Sequence, residues 1–135
     1  MPPSRTVTVT IGCPPGRVYD FVSGPENLPR WAAGLGTSVS RVEGRWVVQT
    51  ASGPLGIRFV DRNALGVLDH FVTLESGEEI LVPMRVVANG TGSEVMVTVF
   101  RLPGTSAQQF AEDVTLVERD LKTLKRTLEE RGSDG

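Results

Sequence analysis

The single histidine of the chain, His70, lies beside Asp69 inside the apolar stretch "LGVLDHFVTLES" at residues 65–76. This stretch is typical of a β-strand, in which successive side chains point to opposite faces of a sheet. One of the two groups therefore faces a core and the other faces away from it. A carboxyl group in an apolar cavity loses hydration, which raises its pKa and suits it to general acid or base catalysis. An imidazole can act as a base near neutral pH.

The composition limits the classes of function that this chain can have. It has 135 residues with 14 basic and 16 acidic side chains, and we expect residues 1–135 to form a single domain. No basic face or run stands out, which argues against nucleic acid as a partner. One cysteine, Cys13, and one histidine argue against a protein-only zinc site, and we predict neither metal nor cofactor.

The sequence also predicts a location. Residues 1–10 lack the apolar core of a secretion signal, and no apolar run approaches the roughly 20 residues that span a bilayer. A lone cysteine excludes an internal disulfide framework and fits a reducing compartment. We therefore expect a cytoplasmic protein without a membrane partner.

The first part of the chain predicts a strand followed by two short helices. Residues 5–11 alternate between apolar residues and threonine after Arg5, as in a half-buried strand. Pro14 and Pro15 suit the first turn of a helix, and "PENLPRW" allows one more helical turn. Six further strands, separated by tight turns rich in Gly, Asn, Ser and Pro, are predicted at residues 37–42, 45–50, 55–61, 67–74, 79–88 and 93–102.

The last segment, residues 106–131, predicts one long helix. Thr105 or Ser106 can cap its start. Its apolar side chains recur at spacings of three and four residues and fall within an arc of about 80°. A stripe this long needs a long partner surface, and the sheet is the natural candidate. The stripe consists of Phe110, Val114, Val117, Leu121, Leu124 and Leu128.

Pairing the hairpins assigns a face to each strand residue. A five-residue loop at residues 62–66 places Phe59 opposite Asp69, and the "ESGE" loop places Phe71 opposite Val82. Asp69 then points inward and His70 outward, and a slip of one residue would exchange the two. The predicted inner face holds Trp46, Val48, Leu55, Ile57, Phe59, Val67, Phe71, Ile80, Val82, Met84, Val86, Val95, Val97 and Val99.

The predicted outer face is not purely polar. It carries His70 and several charged side chains, which fits a surface or interface role for the histidine. It also carries more apolar surface than a solvated sheet needs, so either a homodimer interface or coverage by loops is expected. The apolar residues assigned to it are Leu68, Val72, Leu81, Met96 and Phe100.

These elements predict an α+β helix-grip fold. A seven-stranded, curved antiparallel sheet wraps around the C-terminal helix, with two short helices after the first strand. Such layers leave an apolar pocket between sheet and helix. The opening "TVTVTIGCPPGRVYDFVSGPENLPRWAAGL" and the helix "FAEDVTLVERDLKTLKRTLE" resemble the START-like (SRPBCC) helix-grip superfamily, and more narrowly its polyketide cyclase/dehydrase-like branch.

The resemblance covers nearly the whole chain and implies a ligand cavity. Members bind hydrophobic ligands, and some are cyclases, hydratases or lipid carriers, but the superfamily has no universal catalytic motif. We therefore expect a small hydrophobic ligand (lipid, aromatic or polyketide-like), with a cyclase or dehydrase activity, a non-catalytic carrier or sensor, and a dimerising interaction module as alternatives. The residues expected to line the cavity are Trp31, Trp46, Phe59, Phe71, Met84, Val97, Arg101, Phe110, Val117 and Leu121.

Asp69 is the candidate catalytic residue, with Arg101 near it. In the enzyme hypothesis, Asp69→Asn abolishes turnover and leaves ligand affinity nearly intact. The competing interpretation is an Asp69 carboxyl bonded to Arg101, Thr73 or water in a purely structural network. Trp31 and Trp46 can likewise be ordinary core residues.

Overall fold

The computed structural model describes residues 1–32, 38–50 and 53–133. The predicted "ASGP" turn lies partly outside these residues. In chain order the elements are β1 (Ser4–Ile11), α1 (Pro15–Val22), a 3-10 turn (Pro25–Asn27), α2 (Leu28–Trp31), β2 (Ser38–Val42), β3 (Arg45–Thr50), β4 (Gly53–Phe59), β5 (His70–Thr73), β6 (Glu79–Val82), β7 (Met84–Asn89), β8 (Gly92–Phe100) and α3 (Ala107–Ser133).

The strands of the described residues form two antiparallel sheets, and the prediction of one seven-stranded sheet is wrong in this respect. The order is β1–β8–β7 in one sheet and β2–β3–β4–β5–β6 in the other. The predicted strand at residues 79–88 divides at Pro83, because proline has no N–H to donate to a ladder. The Pro83 carbonyl still accepts a hydrogen bond from the Thr98 N–H at 3.0 Å.

The two short helices form where the sequence predicts them. Pro14 and Pro15 occupy the N-cap and first position of α1, and its buried side chains include Val18 and Phe21. The segment "PENLPRW" gives the 3-10 turn and then α2, which buries Leu28 and Trp31. These helices close one end of the core.

The long helix α3 packs mainly against β1, β8 and α2. Ser106 caps its start, since the Gln109 N–H donates to Ser106 Oγ at 3.0 Å. The predicted apolar stripe faces inward, with Leu121, Leu124 and Leu128 fully buried. Neither α3 nor any other helix in the described ranges has the length and apolar character needed to cross a membrane.

A cluster of polar bonds, which we call the α3 latch, joins the end of α3 to β1. Lys125 Nζ donates to the Thr10 carbonyl at 2.8 Å and to Glu129 Oε2 at 2.7 Å. The same Glu129 oxygen accepts the Gly12 N–H at 2.8 Å. Hydrogen bonds from Lys125 and from the Gly12 backbone lower the pKa of Glu129 below its ordinary value.

The predicted register is right on one side of the molecule and wrong on the other. Met84 pairs with Val97, as expected from the "NGTG" turn. Phe59, however, pairs with His70 rather than Asp69, and His70 pairs with Val82. A shift of one residue moves every side chain of a strand to the other face. His70 and Val72 therefore point inward, whereas Asp69 and Phe71 point outward.

The loop before β5 explains this shift. Asn63 Oδ1 accepts the N–H groups of Leu65 and Val67 and thereby closes a compact turn. The chain after this turn follows β7, since the Gly66 carbonyl accepts the Val86 N–H at 3.0 Å. Strand β5 therefore begins at His70, with one more backbone hydrogen bond from the Val60 N–H to the Asp69 carbonyl at 3.0 Å, and the predicted five-residue hairpin loop does not form.

The same shift rearranges the apolar residues of the outer face. Leu68 is buried inside the protein. Phe71 takes an outer position, where the Arg58 guanidinium lies 4.5 Å from the centre of the Phe71 ring. Leu81 and Phe100 remain exposed there, as predicted.

Candidate ligand-binding site

The inner face of the five-stranded sheet, β2 to β6, is the candidate binding surface. One row of paired residues crosses all five strands and begins with a charged group at its edge. A second row holds the histidine between Phe59 and Val82. Apart from these two polar positions, both rows are apolar. The first row is Arg41, Trp46, Ile57, Val72 and Ile80.

His70 is the polar group in the middle of this face. Its side chain and backbone together are only 9% exposed. Nδ1 lies 3.0 Å from the Leu68 carbonyl oxygen. Because a carbonyl oxygen only accepts, Nδ1 carries the hydrogen and Nε2 of the neutral ring keeps a lone pair. No hydrogen bond joins Nε2 to the described residues.

Burial controls the charge of His70. Loss of hydration lowers the pKa of the ring, and this outweighs the opposing effects of the Leu68 hydrogen bond and the Asp69 charge. The imidazole is therefore neutral at pH 7. A neutral imidazole with a fixed tautomer can accept a hydrogen bond or a proton through Nε2.

An open cleft of about 950 Å³ lies beside β3 and β4, and Phe59 joins it to His70, which does not itself line the cleft. The Phe59 ring forms part of its wall and contacts the His70 ring, with 4.8 Å between the ring centres. Trp46 and Ile57 form another part, and the Arg41 guanidinium lies 5.3 Å from the centre of the Trp46 ring. The segment that precedes α2 contributes Pro25. Aromatic and aliphatic side chains thus form only part of the wall. Charged and polar side chains form another part, among them Arg45, Arg58, Thr73, Glu75 and Glu79.

Asp69 does not face this cleft, so the prediction of its orientation is wrong. Its Oδ1 accepts the Met84 N–H at 2.9 Å, and its Oδ2 pairs with the Arg85 guanidinium at 3.0 Å. The side chain is 16% exposed, on the outer side of the sheet. Arg101, expected near Asp69, instead donates through Nε to the Thr105 carbonyl at 2.8 Å. These bonds favour the structural interpretation of Asp69, and its catalytic role remains only a prediction.

The other predicted ligand-binding residues divide into three groups. Trp46 and Phe59 line the cleft, and Trp31 is buried on α2. Phe71 belongs to the outer face, because of the shifted register, and its assignment to the inner face is wrong. The remainder belong to the core of α3, β7 and β8, where Met84, Val97 and Leu121 are buried and Phe110 and Val117 are half-buried.

His70 is the candidate group that the predicted register placed on the wrong face. The signal that identifies it is the sequence "NALG" at residues 63–66, in which an asparagine side chain can close a turn and a glycine can take a positive φ. Gly66 has a φ of 75°. Such a turn is more compact than an open hairpin loop and shifts the register that follows.

Comparison with known proteins shows the fold and not the family. No model of a known protein family matches the chain, and no curated protein does. Ara h 8.0201 is 15% identical, and the match covers 93% of this chain and 97% of that chain with a TM-score of 0.70. The Aha1 dimer from Colwellia psychrerythraea is 15% identical over 94% of this chain and 96% of that chain, with a TM-score of 0.73.

A third solved structure is DynU16, a protein of the dynemicin biosynthetic locus. It is 20% identical over 93% of this chain and 47% of that chain, with a TM-score of 0.70. Identities this low carry information about the fold alone. A C-terminal helix on antiparallel sheets, together with these neighbours, is consistent with a helix-grip fold for this chain.

Proposed function

We propose that residues 1–135 form one START-like domain that binds a small hydrophobic ligand between the inner face and α3. The ligand is a lipid, an aromatic compound or a polyketide-like molecule. The observation that carries this proposal is the neutral His70 ring, which lies between Phe59 and Val82 and whose Nε2 lone pair accepts a hydrogen bond from none of the described residues. Small-molecule sites commonly combine apolar walls with a few well-placed polar groups.

Phe59 links the histidine to the cleft. Its ring contacts His70 and also lines the cleft beside Trp46 and Ile57. A ligand that rests on these aromatic and aliphatic walls would remove apolar area from water, which favours binding by about 25 cal/mol per Å². His70 Nε2 would then accept a hydrogen bond from the polar part of the ligand and orient it.

A cyclase or dehydrase activity is a second candidate, and His70 replaces Asp69 as its proposed base. A base must reach the proton that it removes, and the Asp69 carboxylate is already bound to Met84 and Arg85. The origin of DynU16 in a biosynthetic locus gives this candidate some support. A non-catalytic carrier or sensor would use the same cleft without proton transfer.

A homodimer through the outer face is a separate proposal. Leu81 and Phe100 expose apolar side chains there, and the Aha1 neighbour was solved as a dimer. We also propose a cytoplasmic location, because a single buried cysteine suits a reducing compartment.

Native mass spectrometry of the protein purified from its own host tests the ligand and the dimer together. Wild type is expected to carry a copurified hydrophobic molecule. Leu55→Trp, which enlarges a half-buried residue of the cleft wall, is expected to lose that molecule. Thr8→Trp, an equal enlargement at an exposed position of β1, is expected to keep it. An empty monomer in all three preparations would count against both the ligand and the dimer.

A further inference from the structure

Strand β1 is an outer strand of its sheet, and one side of its backbone faces away from the other strands. It pairs with β8 along all of Ser4–Ile11. In an antiparallel ladder, alternate residues of a strand bond the same neighbour. The Pro3 carbonyl accepts the Arg101 N–H at 2.9 Å. The odd-numbered residues of β1 therefore turn their N–H and C=O groups towards β8, and the even-numbered residues turn theirs away from the sheet.

The α3 latch bonds the outward groups at one end of this edge. Lys125 Nζ reaches the Thr10 carbonyl, and Glu129 Oε2 accepts the Gly12 N–H, each at 2.8 Å. Both backbone residues are even-numbered, in agreement with the direction of the ladder. Helix α3 thus covers the last part of the edge by means of polar bonds.

The first part of the edge is open at Ser4, Thr6 and Thr8. Within residues 1–32, 38–50 and 53–133, nothing bonds their outward N–H and C=O groups, and all three residues are exposed. The strand also lacks the features that usually protect an edge, since it has no bulge, no proline and no charge apart from Arg5. An edge of this kind is a template for another strand.

The open segment is complementary to itself. Thr6 is its midpoint, so a two-fold axis at Thr6 pairs this residue with Thr6 of a second copy, and Ser4 with Thr8. All the outward N–H and C=O groups of the segment then have a partner. At the next position Pro2 faces Thr10 of the second copy. Proline has no N–H to donate there, and the α3 latch already occupies the Thr10 carbonyl, so neither group loses a bond.

The side chains fit the same pairing. Residues directly opposite each other share a face of the sheet, so the two Thr6 hydroxyls meet on the outer side and Thr8 meets Ser4. On the inner side Arg5 lies opposite Val7, so no like charges lie directly opposite each other. A second copy supplies this match by symmetry, whereas a foreign strand would need the same sequence pattern.

We propose that two copies of this chain join through Ser4–Thr8 of β1, antiparallel and centred on Thr6, into one continuous six-stranded sheet. The contact is separate from the proposed outer-face dimer, which uses Leu81 and Phe100. Five residues at about 3.4 Å each make it only about 17 Å long. So short a contact belongs to the small end of specific interfaces, and the dimer forms reversibly as the concentration rises.

A charge exchange at Thr6 tests the contact, because this residue alone lies opposite its own copy. Sedimentation velocity over a concentration series is expected to show a dimer for wild type. Thr6→Lys alone and Thr6→Asp alone are each expected to lose it, and an equimolar mixture of the two is expected to restore it. Val87→Lys, which places the same charge on the opposite edge strand β7, is expected to dimerise as wild type does.

Thr6→Pro tests the backbone bonds themselves. The Thr6 N–H turns away from β8, so proline removes no bond of the ladder but one donor from each copy of the dimer. The dissociation constant is expected to rise about a hundredfold, a factor of ten for each net hydrogen bond.

Leu81→Lys distinguishes the two proposed dimers and is expected to keep the β1 contact. If Leu81→Lys abolishes the dimer and the Thr6 variants do not, the outer-face dimer stands and the β1 contact is overturned. A wild type that stays monomeric throughout the series overturns both. If wild type from its own host instead carries another polypeptide that Thr6→Pro loses, the edge takes a foreign strand and the two-fold contact is wrong.

Discussion

His70 Nδ1 and the Leu68 carbonyl oxygen lie 3.0 Å apart, although both residues belong to the same short stretch of chain. The backbone thus supplies the partner that fixes the tautomer of the ring. Nε2 is therefore the nitrogen that can accept a hydrogen bond. If the backbone carbonyl had bound Nε2 instead, Nδ1 would be the accepting nitrogen. The identity of the free nitrogen follows from local chain geometry.

The stability of the protein is expected to depend on the protonation of His70. Burial lowers its pKa in the folded state below the ordinary 6.5, so in the pH range between those two values the unfolded chain binds more protons. The contribution of neutral His70 to the free energy of unfolding is therefore complete above about pH 6.5. It decreases as the pH falls, by at most about 1.4 kcal/mol per pH unit for one proton.

His70→Asn is the matched variant for this prediction, because its amide can still donate to the Leu68 carbonyl. Urea unfolding from about pH 7.5 down to about pH 5 should show a smaller loss of stability in the variant than in wild type. The carboxylates contribute equally to the dependence of stability on pH in both proteins, so their contributions cancel in the difference between the two. Identical slopes would mean that His70 titrates normally in the folded protein.

The two partners of the Asp69–Arg85 ion pair should contribute unequally to the free energy of unfolding. Asp69→Ala removes the acceptor of the Met84 N–H, and Met84 is fully buried, so we expect a loss of about 1–3 kcal/mol in the free energy of unfolding. Arg85→Ala removes only a half-exposed partner and should cost less than about 1 kcal/mol. Chemical denaturation measures both, and equal losses would contradict this asymmetry.

The α3 latch is expected to stabilise the protein through Glu129. Its carboxylate holds both the Gly12 N–H and Lys125 but lies near the surface, so Glu129→Ala should lower the free energy of unfolding by about 1 kcal/mol. Lys122→Ala, an exposed change on the same helix, should stay within about 0.5 kcal/mol of wild type. The latch would be unimportant if the two variants unfolded at the same urea concentration.

Glu129 should also make the stability of the protein depend on pH, in a more acidic range than His70 does. Its pKa is lowered in the folded state, so its contribution is present above its ordinary value of 4.5 and decreases as the pH falls through the lowered value. Glu129→Gln should flatten the acid limb of the stability profile in that window. An unchanged limb would show that other carboxylates dominate it.

Gly66 should tolerate alanine far less well than Gly77. Both have a positive φ, but a Cβ at Gly66 would lie 2.1 Å from the Val86 carbonyl oxygen, while one at Gly77 meets nothing within 4 Å. Gly77→Ala should cost about 1–2 kcal/mol from the backbone conformation alone. Gly66→Ala should exceed about 3 kcal/mol, the upper end of the usual range. Thermal unfolding of the two variants would refute this if their melting temperatures matched.

Local patterns made much of the fold predictable from the sequence. The alternation before Ile11, the prolines at the start of α1 and the apolar stripe ending at Leu128 depend on neighbouring residues only. The pairing of Met84 with Val97 was also predictable, since the short turn at residues 89–92 allows little choice of register.

The site was less predictable because it depends on contacts between distant parts of the chain. Residues 66–68 decide to which face of the sheet the Asp69 and His70 side chains point, because they pair with β7 instead of continuing the hairpin from Phe59. Counting residues across a loop cannot show that competition.

The interruption at Pro83 has a consequence for how the protein opens. It separates the sheet that packs against α3, with β8 as its central strand, from the sheet that carries the cleft. Two sheets joined in this way can lose structure as separate cooperative units. Amide hydrogens of β3 and β4 should then exchange with solvent sooner than those of β8, so the sheet beside the cleft would open while the sheet packed on α3 stays intact.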